Sequence, residues 1–74
     1  MSPLTNKEMQ HLLRVERDLR AAEQRMSAQL LHLAELRHEG RDTARAEERL
    51  RVIVSSVELL KLHAQFMRAR AEEA

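Results

Sequence analysis

Cysteine is absent from the 74-residue chain, so neither a disulfide framework nor a thiolate metal site is available. Tryptophan and tyrosine are absent too; Phe66 is the sole aromatic residue, and Gly40 and Pro3 are the single glycine and proline. So few turn formers leave little material for strands, and a composition heavy in Ala, Leu, Arg and Glu favours long helix or coiled coil. No apolar run approaches the ~18 residues of a membrane span. The opening MSPLTNKEM lacks the basic-then-apolar order of a secretory leader. A cytoplasmic protein with no membrane partner is the expectation. The formal net charge is only +1, too small for a whole-molecule field that gathers nucleic acid or anionic lipid. The length allows one small domain, residues 1–74.

What is present is helical punctuation. Thr5 and Glu8 fit a capping box, in which the threonine accepts from the third helical N–H and the glutamate reaches back. Leu4 and Met9 sit at the staple positions on either side. Nothing then breaks a helix until about residue 39. Leu12, Val15, Leu19, Ala22, Met26, Gln29, Leu33 and Leu36 alternate three and four residues apart, which is a coiled-coil seam. Gln29 is its one polar member, and Leu30 beside it can widen the stripe.

The first helix is therefore expected over about 5–39, a turn over about 40–42, and a second helix over about 43–72. Gly40 can take the left-handed conformation that ends a helix. Asp42 or Thr43 can cap the next one, because their short side-chain oxygens accept from its free N–H groups. A lone glycine here serves geometry; loops that cradle phosphate need several. The second seam reads Ala46, Leu50, Ile53, Val57, Leu60, Ala64, Met67 and Ala71. So short a link forces the helices antiparallel, seam against seam. Counting outward from the turn brings Glu16 near Arg68, Glu23 near Lys61, Leu30 near Val54 and Arg37 near Glu47.

Helix 2 carries a second stripe that one partner helix cannot cover. Val52, Leu59 and Phe66 recur every seven residues, with Leu62 nearby. The core of an isolated two-helix chain is thin, so the expected architecture is an all-α antiparallel hairpin that associates into a four-helix bundle. A homodimer or higher homo-oligomer is expected, with a helical protein partner laid into an exposed groove as another way to cover the stripe.

The charged and polar groups give weaker signals. Arg14, Arg17 and Arg20 cluster on helix 1, and Arg37, Arg41, Arg45 and Arg49 gather about the turn. Arginine forks match phosphate oxygens, which makes RNA contact by Arg14, Arg17 and Arg20 the competing reading. Against it, acidic residues interleave throughout, no aromatic lies among these arginines to stack a base, and i,i+4 pairs such as Glu16–Arg20, Arg14–Asp18 and Glu47–Arg51 make a solvated face. Nucleic acid is not the expected partner. Glu8–His11 and Glu35–His38 have the Glu-x-x-His spacing of di-iron bundles, but they lie at opposite ends of one helix and do not converge, so no metal or cofactor is expected. His32 and His63 flank the seams. Ser55 and Ser56 have no histidine–acid pair to activate them, so no enzyme is expected.

Residues 22–63, AEQRMSAQLLHLAELRHEGRDTARAEERLRVIVSSVELLKLH, resemble a group of small uncharacterised helical-hairpin proteins common in alphaproteobacteria, especially rhizobia. The shared feature is a Gly-(His/Arg)-Asp-Thr-x-x-Ala turn before a Leu-rich helix, here Gly40, Arg41, Asp42, Thr43 and Ala46. The resemblance implies a fold and no chemistry. In architecture alone the chain is similar to Rop-type hairpins, plasmid RNA-binding proteins that dimerise into four-helix bundles. No residue-level match carries their RNA-binding positions over. A structural or protein–protein interaction module is the leading expectation, and a Rop-like RNA regulator the alternative.

Overall fold

A computed structural model of the chain describes residues 4–72, so the extreme ends of the expected 1–74 domain lie outside the described residues. Two helices follow one another, α1 (Asn6–His38, 33 residues) and α2 (Ala44–Glu72, 29 residues). They pack side by side along their length as an antiparallel hairpin, a rod of 58 × 14 × 14 Å. Both ends of the connection fall within a residue or two of the expected boundaries.

Each helix terminus is held by identifiable bonds. Thr5 is extended and its Oγ1 accepts from the Glu8 N–H at 3.1 Å, while Glu8 Oε1 accepts from the Thr5 N–H at 3.1 Å. At the other end of α1, Gly40 takes φ = +68°. Its N–H donates to the Arg37 carbonyl at 3.1 Å, and the Arg41 N–H donates to the Leu36 carbonyl at 2.9 Å. These paired bonds form a Schellman cap, which satisfies carbonyls that would otherwise be orphaned. Of the two expected capping residues of α2, Asp42 accepts from a helix N–H as expected, its Oδ1 lying 3.1 Å from the Ala44 nitrogen, and the Thr43 hydroxyl acts as a donor instead, to Glu47 Oε1 at 3.3 Å. The Thr43 carbonyl accepts the Glu47 N–H at 2.8 Å and so opens the helical ladder.

Every residue of the two expected seams is buried or half-buried. Two apolar clusters anchor the rod. Leu33, Leu36 and Ala46 close the turn end with Leu50; Leu4, Leu12, Val15, Ala64 and Met67 close the open end with Leu60 and Ala71. Leu4 therefore plugs the far end of the core, while Met9, its expected staple partner, stays 42% exposed. Leu30 is 49% exposed and does not widen the stripe. Small residues are the most completely covered, Ala22 and Ala64 at 1% exposure each. Two helices cannot enclose a large side chain from all sides, and among the described residues no large side chain is less than 2% exposed.

Candidate functional site

The hairpin presents two flanks and two backs, and each differs in chemistry. On one flank Arg68 donates to Glu16 Oε2 at 2.6 Å and Arg37 donates to Glu47 Oε1 at 3.3 Å, joining the helices near both ends. No third ion pair forms between Glu23 and Lys61 in the middle, although the antiparallel register predicts one. Exposed pairs of this kind contribute ~0.2–1 kcal/mol each. They fix orientation more than stability.

The opposite flank holds the interhelical contacts that sequence reading missed. Glu8 Oε2 accepts from Arg70 at 2.9 Å, and the rings of His11 and His63 lie 5.0 Å apart, centroid to centroid, tilted by 59°. A shallow groove beside them is lined by Lys7, Phe66 and Met67 as well. The N–H of Thr5, then its hydroxyl and the Arg70 guanidinium, hold the Glu8 carboxyl below the usual carboxylate range. His11 and His63 occupy the same heptad position on the two helices, which puts both on this flank, but the outward counting that pairs Glu16 with Arg68 does not bring either contact level. A further groove on this flank is lined by Asp18, Ala21, Arg25, Ser56 and Leu59. Among the described residues, no group of three or more His, Cys, Asp or Glu could hold a metal ion, and no helix is long and apolar enough to cross a membrane.

The back of α1 bears Arg14, Arg17 and Arg20, all exposed and with no ion pair among the described residues. Among the described residues the expected pairs Arg14–Asp18 and Glu16–Arg20 do not form; Glu16 reaches across to Arg68 instead of Arg20. Glu47 is likewise engaged by Arg37 and Thr43, so Arg51 turns to Glu48, donating at 2.6 and 3.1 Å.

The back of α2 is apolar. Val52 is 60% exposed, Leu59 68%, Leu62 63% and Phe66 64%. Their position follows from helix geometry: a residue two places from a seam position lies about 200° round the helix. Leu62 is two places from both Leu60 and Ala64 and so faces away from α1, whereas Leu59 and Phe66, each next to a seam residue, also turn toward the flank where they line the two grooves. Apolar side chains on both sides of α2 leave it weakly amphipathic, whereas α1 has one dominant stripe. No protein-family model matches the sequence, and neither a curated protein nor a solved structure matches it. Function has to be argued from these surfaces.

Proposed function

We propose that the chain is a non-enzymatic, self-associating helical hairpin, a structural or protein–protein interaction module whose working unit is a homodimer or higher homo-oligomer containing four helices or more. One observation carries the reading. Val52, Leu59, Leu62 and Phe66 form a continuous apolar stripe, 60–68% exposed, along a helix whose other side is already engaged. Burying a side chain of this kind contributes ~1.5–3 kcal/mol, and a second hairpin supplies the cover that α1 cannot. Contiguous exposed apolar surface on a small chain marks an interaction site. Sedimentation velocity of Leu59→Glu and Phe66→Glu tests this: each should shift an oligomer to monomer. Unchanged sedimentation of both variants would remove the stripe from the interface. A wild-type monomer would assign the stripe to a different helical protein.

A second reading, a Rop-like RNA regulator, draws on the unpaired arginines of α1. Arg14, Arg17 and Arg20 are three exposed cations with no carboxylate partner among the described residues. It predicts RNA binding that falls steeply with salt and weakens when Arg14 and Arg17 are changed to Gln. Absence of binding to a mixed RNA pool at low salt ends it.

A further inference from the structure

Resting on the self-association reading, we infer that two hairpins pack through α2 alone, antiparallel about a two-fold axis between Leu59 and Leu62. The four helices then stand in a row, with the two copies of α2 at the centre, α1 outermost on each side, and the turns at opposite ends.

The outer side of α2 reads Val52, Ser55, Leu59, Leu62, Phe66 and Ala69, every one of them exposed. The spacing alternates three and four, so this is a second coiled-coil seam on the helix. Its Leu62 edge lies about half a turn from the seam that holds α1, about 200° from Leu60 and Ala64, while its Leu59 and Phe66 edge borders the flank grooves. A hairpin docked on either flank, as in a square bundle, would leave Leu62 outside. A helix lying on the far side of α2 from α1 covers Leu62 and can reach the exposed faces of Val52, Leu59 and Phe66 as well.

The seam is self-complementary, which identifies its occupant as a second copy. In an antiparallel pair centred between Leu59 and Leu62, Phe66 faces Ser55 of the second copy, Val52 faces Ala69, and Leu59 faces Leu62. On either side of the central Leu59–Leu62 layers, bulky residues meet small ones, Phe66 on Ser55 and Val52 on Ala69. A parallel pair would stack Phe66 on Phe66 and Ser55 on Ser55, alternately crowded and empty.

The borders are compatible with the antiparallel pair. Arg51 lies opposite Glu72 of the second copy, and Ser56 lies opposite His63. Arg49 lies opposite Arg70, whose charge is already met by Glu8 at 2.9 Å. The four large side chains, 60–68% exposed, leave on the order of 500 Å² per copy, hence roughly 1,000 Å² for two, about the area at which specific association begins. The interface is isologous, so the assembly closes as a dimer with no free seam.

Two measurements on the full chain test this. With no native cysteine, Arg41→Cys carries a single nitroxide at the turn, and pulsed electron paramagnetic resonance reads the distance between the two turns of a dimer. The antiparallel row predicts roughly 50 Å from the helical rise; a distance within roughly 20 Å places the turns together and overturns the inference. Leu62→Glu is the second arm. In the row it raises the dimer dissociation constant by ~100-fold or more, since the substitution enters the interface twice. A Leu62→Glu chain that dimerises as tightly as wild type overturns the row, even with distant turns. A wild-type chain that is monomeric overturns the self-association reading itself, which separates the two failures.

Discussion

Gln29 on α1 donates through Nε2 to the backbone carbonyl of Ala46 on α2 at 3.1 Å, a buried hydrogen bond that spans the helix pair close to the turn. Among the described residues the Gln29 side chain is the one polar member of the buried core, and it uses an acceptor whose position does not depend on side-chain identity. That bond holds the first turn of α2 at a fixed height along α1. In this respect Gln29 resembles the buried polar residues that set register in coiled coils.

Replacing Gln29 by Ala should destabilise the chain by about 1–3 kcal/mol, because it removes the bond and opens a void. Gln29→Leu restores the volume and should stay within about 1 kcal/mol of wild type while loosening the register. Urea unfolding at fixed protein concentration reads the stability. Amide hydrogen exchange about Ala46 and Leu50 reads the register. An unchanged Gln29→Ala would mean the bond contributes nothing net.

Gly40→Ala should cost about 1–2 kcal/mol through backbone conformation alone. At φ = +68° a Cβ would meet nothing within 4 Å, so no clash contributes. Gly40→Asn should recover part of the loss, because asparagine tolerates the left-handed region. Equal stability for Ala and Gly at this position would contradict the cap described above.

Glu8 should titrate below its ordinary value of 4.5, driven first by the Thr5 N–H and then by the Thr5 hydroxyl and Arg70. A carboxyl with a lower pKa when folded stabilises the fold above its unfolded pKa. That contribution is lost as pH falls through the lower, folded value. Carboxyl carbon shifts across a pH series give the midpoint directly; one at or above 4.5 would contradict the geometry. Thr5→Ala should weaken the α1 cap by about 1 kcal/mol.

The Glu16–Arg68 pair, at 2.6 Å with its two side chains 24% and 53% exposed, should show a coupling of about 0.2–1 kcal/mol in a double-mutant cycle. The coupling should fall in high salt. A salt-independent coupling well above that range would mean the pair is more shielded from water than its exposure implies.

Much of the fold was legible because the three-four alternation of apolar residues states which side of each helix is covered. Leu12 through Leu36 and Ala46 through Ala71 all fall on the facing sides. The turn was legible because a single glycine followed by Asp42 and Thr43 leaves few ways to end one helix and begin another. Side-chain partnering was less so. Glu16 had two arginines within reach, one local and one across the pair, and only the packed geometry shows that Arg68 takes it. The Gln29–Ala46 bond had no signal beyond a polar residue in an apolar seam, since a backbone acceptor leaves no mark in sequence. The exposed stripe of α2 could be read from its heptad spacing, but its placement on the back of the helix, reaching to the flank grooves at Leu59 and Phe66, required the seam to be fixed first.

The central claim, that α2 uses its second side to bind another copy of the chain, is tested most directly by sedimentation equilibrium across a dilution series. Detection by interference suits a chain without Trp or Tyr, and absorbance at 260 nm on the same sample reports any retained nucleic acid. A nucleic-acid-free dimer that dissociates on dilution is the predicted result. A stable monomer at every concentration would contradict it.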